Sequence, residues 1–296
     1  MNRSLVPVLL LAFAAVVSGC ARLDRLVVGS KNFTESVLLG EIIAQGAQRL
    51  GIPVARKLNL GGTFVCHQAM ISGQLDIYVE YTGTAYQAVL GLEGETDPAR
   101  VRDITDSLYS ERFDLEWGYP LGFNNTFAML VRGEDARSLG LITVSDALPY
   151  LKDWTPGFGH EFLDRADGFR GFIRHYGAEF GGEPVAMDLG LMYRALAEGR
   201  VDLVAGNSTD GQIRALDLFH LEDDRRYFPP YEAIPVVRSD VAGRFPGLQG
   251  LLQSLGNSID EVAMVEMNFR VDVEGEDFRA VARDFLDRIL ADESSP

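Results

Sequence analysis

The sequence predicts an α/β protein made of two similar lobes, each a parallel sheet flanked by helices. Three observations point there. Short apolar runs alternate with segments of helical period from Leu26 onward, the rhythm of βαβ units. A stretch near residue 71 has an echo near residue 197. The 296 residues are 47% hydrophobic and 24% charged, which supplies a sizeable core and excludes disorder as the main state.

The chain opens on a targeting segment. Met1-Asn2-Arg3-Ser4 carries one positive charge, Leu5 to Val17 is almost purely apolar, and Ser18-Gly19-Cys20 closes the stretch. It is short for a membrane span and has the proportions of a signal-peptide core. Small residues directly before Cys20 resemble a bacterial lipoprotein processing box, in which that cysteine is lipidated. An ordinary signal peptide is the alternative.

Leu26–Gly29 reads as a strand that stops at Gly29-Ser30. Asn32 with Glu35 three residues on has the form of a capping box, and Val37, Leu38, Ile42 and Ile43 continue a helix. Gly51-Ile52-Pro53 ends it. A second strand is expected over 54–60, a helix over 64–72 after Gly61-Gly62, and a strand over 76–79. In parallel sheets ligands sit where strand ends meet loops and helix N-termini, which singles out 30–34 and 81–84. The stretch from Ile71 to Thr82 lies over that from Ala197 to Ser208, with Gly73 on Gly199, Asp76 on Asp202 and Tyr81 on Asn207. That echo predicts two related lobes whose strand ends face one cleft.

Charge and motifs narrow the function. Lys+Arg is 27 against Asp+Glu 43, a net −16, so the basic stripe that nucleic acid requires is missing. Only Lys31, Lys57 and Lys152 are lysines, which draws attention to Lys31 beside a strand end. If Cys20 carries lipid, Cys66 has no disulfide partner; it sits in an apolar stretch and reads as a small buried residue. His67, His160, His175 and His220 are scattered without zinc spacing. No Gly-x-Ser-x-Gly elbow, phosphate-cradling Gly-Lys-Ser/Thr loop or dinucleotide fingerprint occurs. These absences argue against an enzyme, a cofactor and a metal; an enzyme and a sensor lobe are kept as lesser alternatives.

Val28-Gly29-Ser30-Lys31-Asn32-Phe33-Thr34-Glu35 resembles the opening of the substrate-binding proteins of ABC importers for osmoprotectants such as glycine betaine, choline and carnitine. The resemblance continues in order through Gly61-Gly62-Thr63, Glu80-Tyr81-Thr82-Gly83-Thr84, Gly122-Phe123-Asn124-Asn125-Thr126, Asp164-Arg165-Ala166-Asp167-Gly168, Ser208-Thr209-Asp210-Gly211, Phe228-Pro229-Pro230-Tyr231 and Met267-Asn268-Phe269-Arg270-Val271-Asp272. It implies a type II-like periplasmic-binding-protein fold, two Rossmann-like lobes joined by a hinge. The expected division is a leader at 1–19, lobe 1 at 20–125, lobe 2 at 126–231 and a return to lobe 1 at 232–296.

A quaternary ammonium has no N–H to donate, so the faces of aromatic rings must recognise it. The resemblance implies a cage of Tyr81, Phe127, position 207 and Tyr231. Phe127 stands where relatives commonly have Tyr, and Asn207 replaces a ring altogether. For a ligand carboxylate the resemblance implies Lys31, Thr84 and Arg165, with Lys31 just before a helix N-terminus. Implied partners are a small solute, an ABC permease and its ATPase, and a bacterial membrane through lipid on Cys20, with the protein a monomer held outside the cytoplasm. The gap at Asn207 leaves two ligand classes open: a glycine betaine- or choline-like solute, and a bulkier trimethylated betaine such as carnitine or ergothioneine, or a polar amine.

Overall fold

The structure, a computed structural model, describes residues 24–293. Cys20 and the leader lie outside the described residues. No helix among those described is long and apolar enough to cross a membrane.

Among the described residues, ten strands form two five-stranded sheets. They are β1 (Leu26–Gly29), β2 (Val54–Lys57), β3 (Ile77–Tyr81), β4 (Leu115–Trp117), β5 (Phe127–Arg132), β6 (Pro156–Gly159), β7 (Val185–Met187), β8 (Leu203–Asn207), β9 (Leu218–Leu221) and β10 (Ala233–Arg238). The first sheet has the order β2-β1-β3-β10-β4 and the second β7-β6-β8-β5-β9. The helices that matter here are α1 (Thr34–Arg49), α2 (Thr63–Ile71), α3 (Pro98–Phe113), α4 (His160–Asp164), α5 (Leu189–Ala197), α6 (Glu261–Asp272) and α7 (Phe278–Glu293).

Each sheet is covered on both faces, and the period-2 alternation of its strands shows it. Ile77, Val79 and Tyr81 of β3 join a core with Leu38 and Ile42 of α1, Met264 and Met267 of α6, and Val281 and Phe285 of α7. Tyr78, between them, faces the other core with Cys66 and Met70 of α2, Tyr109 of α3, and Val236. In β5, Met129 and Val131 enter one core while Ala128 and Leu130 enter the opposite one.

The echo near residues 71 and 197 is structural. Gly73 (φ +71°) and Gly199 (φ +69°) both take the left-handed turn just after a helix, a conformation that glycine adopts without a steric cost. The Asp76 carboxylate accepts the Val27 N–H at 2.8 Å and its own N–H donates to the Val27 carbonyl at 2.9 Å. Asp202 treats Thr155 the same way, at 2.9 and 2.8 Å. One aspartate in each lobe thus ties a central strand to the start of its neighbour.

Two expectations need correction. The sheets are mixed: β10 runs antiparallel to β3 and β4, and β5 antiparallel to β8 and β9. These are the strands by which the chain enters one sheet after leaving the other, so no crossover helix orients them. The capping box at Asn32 does not form. Helix α1 starts at Thr34 behind Phe33, with no side-chain cap, and Glu35 is engaged elsewhere.

The two connections between the sheets lie side by side. Asn124 and Glu232 form an antiparallel bridge, the Asn125 N–H donates to the Tyr231 carbonyl at 3.0 Å, and the Leu121 N–H to the Ala233 carbonyl at 2.9 Å. This paired ribbon carries Asn125 and Tyr231 to the cleft between the sheets.

Candidate functional site

Lys31, Tyr81, Thr84, Phe127, Arg165, Asn207 and Tyr231, spread over 201 positions of sequence, line one cavity. Its volume is about 60 Å³, room for several waters at on the order of 10–15 Å³ each. Strand ends position most of the lining. Tyr81 closes β3, Phe127 opens β5 and Asn207 closes β8, while Lys31 follows β1 and Arg165 follows α4.

Five aromatic side chains border the space: Phe33, Tyr81, Phe127, Phe162 and Tyr231. Phe127 meets Tyr231 edge-on, with centroids 5.9 Å apart, and Phe162 at 5.0 Å. Phe33 lies 6.0 Å from Tyr81. Phe33 and Phe162 were missed in the sequence, although both stand within or beside the family-like blocks. Asn207 itself turns its amide to the Asp210 carboxylate, 3.1 Å away.

Two cations of the lining are already paired and lie over cavity rings: Lys31 Nζ is 5.1 Å from the Tyr81 ring centroid and the Arg165 guanidinium carbon 5.3 Å from that of Phe127. Lys31, 3% exposed, forms a short ion pair with Glu80 and donates to the Thr63 hydroxyl at 2.9 Å. Arg165, also 3% exposed, grips Asp167 with two donors, one at 2.8 Å, and its remaining nitrogen reaches the Thr84 hydroxyl and Glu161 at 3.4 Å each. Burial opposes its charge, but the Asp167 contacts win and hold the guanidinium above the ordinary arginine range.

Glu161, another residue the sequence did not single out, projects from α4 across the cleft. Both of its oxygens lie 3.3 Å from the Thr63 N–H at the start of α2. Burial pushes its carboxyl up, yet Lys31 and Arg165 outweigh that and hold it below the usual range. The side chain that meets the α2 N-terminus is therefore a carboxylate from the facing sheet's side of the cleft, held in its ionised form.

Asn125 also lines the cavity, and Glu35 stands behind it. Glu35 is fully buried and accepts four hydrogen bonds: from the Tyr81 hydroxyl (2.6 Å) and Asn125 Nδ2 (2.8 Å) on one oxygen, and from the Thr209 hydroxyl (2.5 Å) and Asn268 Nδ2 (3.2 Å) on the other. Burial raises its carboxyl above the usual range, against the lowering effect of those bonds. Cys66, next to the cleft, is inert for a simple reason: burial pushes its thiol up to about 12. Its neighbour His67 packs edge-on against Tyr109 and Phe113, so the adjacent pair is not a nucleophile–base dyad. Among the described residues no group of acidic, histidine and cysteine side chains could hold a metal.

Residues 24–288 match the family model for the substrate-binding domain of ABC-type glycine betaine transport systems. The chain belongs to that family. Members are transport binding proteins that carry a small molecule to a permease. Among relatives of this glycine betaine-type binding protein, a glycine-betaine-binding protein of Pseudomonas aeruginosa is 35% identical over 300 residues, 97% of this chain and 94% of that one. An ergothioneine transport permease/ergothioneine binding protein of Helicobacter pylori is 33% identical over 267 residues; the match spans 89% of this chain but only 47% of that longer protein. A crystal structure described as a glycine betaine/carnitine/choline ABC transporter superposes with a TM-score of 0.73 at 31% identity, covering 90% of this chain and 98% of that one. The fold is accordingly that of the periplasmic binding proteins of this type.

Proposed function

We propose that this binding protein captures a small quaternary-ammonium or zwitterionic solute between residues 126–231 as one lobe and residues 20–125 with 232–296 as the other. The supporting observation is a cavity between the two sheets, bordered by five rings and by side chains from both sheets. Tyr81, Phe127 and Tyr231 face the cationic end, with Asn207 at its edge. Lys31, Thr84 and Arg165 receive a carboxylate. Because the ligand would touch both lobes, it would favour the closed arrangement by its differential contacts. Lipid on Cys20 would hold the protein, as a monomer, at the outer face of a bacterial membrane beside its permease.

A bulkier trimethylated betaine is the second reading, and one observation favours it. Phe33, Leu189 and Asn207 border both the cavity and an adjoining groove of about 400 Å³, so the gap at position 207 leaves room for a longer tail.

The test is a thermal-shift screen of glycine betaine, choline, carnitine, ergothioneine, amino acids and polyamines, followed by calorimetry. Stabilisation by one or more quaternary ammonium compounds is expected. Stabilisation by amino acids or polyamines alone would overturn the reading. For the anchor, the full chain should partition into detergent and its Cys20→Ser variant should not; a wild-type chain with no lipid on Cys20 by mass spectrometry removes that claim.

A further inference from the structure

Glu35 is a buried anion with no cation of its own. None of the ion pairs among the described residues includes it, whereas Lys31 and Arg165 are matched to Glu80 and Asp167. A fully buried carboxylate is normally paired, because burial of a lone charge is costly. Here it is solvated by four neutral donors instead. Two of those donors, Tyr81 and Asn125, are themselves cavity wall, so the charge stands one side chain away from the ligand space.

A second observation points the same way. Asn125 is 6% exposed, and its Oδ1 is buried without any donor. Its Nδ2 is committed to Glu35, which fixes the amide and leaves the oxygen as an unmet acceptor in a residue that lines the cavity. The carboxylate has no cation in direct contact and the amide oxygen no donor; the nearest cation in the wall, Lys31, stands 5.1 Å over the Tyr81 ring and is paired with Glu80.

We propose that Glu35 makes this cleft selective for cations: it orients Tyr81 and Asn125 and supplies, through them, the negative charge that the ligand's ammonium completes. The proposal rests on the reading of the site given above and names the source of its charge preference. Glu35 is a positioning residue, since the wall residues stand between it and the ligand. It also connects four segments, the start of α1, the end of β3, the ribbon at Asn125 and the loop at Thr209, with Asn268 of α6 beneath.

The probe is choline, whose charge does not change with pH, against its uncharged tert-butyl analogue. The wild-type protein should prefer choline, and Glu35→Gln should weaken choline by roughly tenfold or more, as expected for a charge several ångströms off at an effective dielectric near 20, while the analogue changes little. The Thr209 hydroxyl can rotate to accept from the new amide, so most of the hub survives. The charged groups around Glu35 are Lys31, which lines the cavity 5.1 Å over the Tyr81 ring and is paired with Glu80, Asp210 after β8, and Asp272, which accepts from the neighbouring Thr34 hydroxyl at 2.5 Å. Choline affinity should therefore fall as pH is lowered, beginning above the ordinary carboxylate range because burial raises the Glu35 carboxyl. Asp210→Asn and Asp272→Asn should keep that fall, and Glu35→Gln should flatten it.

Equal losses for choline and the analogue in Glu35→Gln would assign Glu35 a purely structural role and overturn the proposal, while leaving the binding function intact. Should that variant not fold, a flat wild-type pH profile, or one flattened by Asp210→Asn, overturns it as well. A wild-type protein that binds no quaternary ammonium compound overturns the functional reading, and this proposal with it.

Discussion

At the scale of the residue, the cleft separates two kinds of position. Asn207 is free of the core and its change tests selectivity. If the cavity holds an ammonium as proposed, Asn207→Tyr would add a ring beside it, worth about 1–2 kcal/mol for a desolvated ammonium, or roughly a five- to thirty-fold gain for glycine betaine or choline. A longer betaine that enters the adjoining groove should lose affinity in the same variant; calorimetry on both ligands shows whether the two move in opposite directions. Arg165 is different, because its partner Asp167 is buried with it. Arg165→Ala should weaken a carboxylate ligand by about 2–4 kcal/mol and choline much less, and should lower stability by about 3–5 kcal/mol as Asp167 is left unpaired. The ratio of the two affinities isolates recognition from stability, and an unchanged ratio would mean that Arg165 only shapes its lobe. The seven cavity residues were legible because five sit in short local blocks of family-like sequence and Phe127 and Asn207 directly adjoin such blocks. Glu35 was read as a capping partner of Asn32 because capping is a local pattern, whereas its actual partners lie 46, 90, 174 and 233 residues away. Glu161 gave no signal either, since a carboxylate on a short helix looks like any solvated one until the facing lobe is in place.

At the scale of the element, the turn after α4 delivers Arg165 and Asp167 to the cleft, and it works because Gly168 has no side chain. A Cβ there would lie 1.9 Å from the Phe162 carbonyl oxygen, which is backbone and cannot step aside. Gly168→Ala should cost about 1–3 kcal/mol, the usual penalty of overpacking, and should displace the Arg165–Asp167 pair. Gly243→Ala is the matched control: a Cβ there meets nothing within 4 Å, and reduced freedom of the unfolded chain should stabilise by about 0.4–1 kcal/mol. Urea midpoints for the two variants, followed by affinity measurements, check both signs. The helices and parallel strands of each lobe were readable from periodicity and turn residues. The antiparallel β5 and β10 were not, because their orientation depends on which sheet the chain joins after a crossover, and no local pattern encodes that.

At the scale of the whole molecule, acid–base behaviour is divided between interior and surface. Burial raises the carboxyls of Glu35 and Asp272, and burial with the nearby Glu35 and Asp272 charges raises that of Asp210. A carboxyl raised on folding contributes stability while it is protonated and loses it as pH rises through its folded value. The exposed Asp24, held low by its bonds to Arg244, and Asp217, held low by Arg137, have the opposite sign and lose their contribution only in stronger acid. The unliganded protein should therefore melt higher at a pH of about 5.5 than at 7.5, then lose stability below about 4 as surface carboxylates are neutralised. A net charge of −16 adds self-repulsion near neutrality and acts in the same direction. Melting curves across that range test the sign, and Asp210→Asn should raise the neutral-pH midpoint and shrink the difference.

The paired ribbon between the sheets also sets an order of assembly. Strands β5 to β9 come from one uninterrupted stretch, Phe127 to Leu221, whereas the sheet that begins with β1 has Ala233–Arg238 wedged between β3 and β4. A chain emerging N-terminus first can complete its inner sheet while the outer one still lacks a central strand. Until β10 arrives, β3 and β4 each expose an unpaired edge, the kind of surface that invites association with other chains. The sheet that starts first is thus the sheet that finishes last, and throughout that interval its open strand edges are exposed to wrong partners.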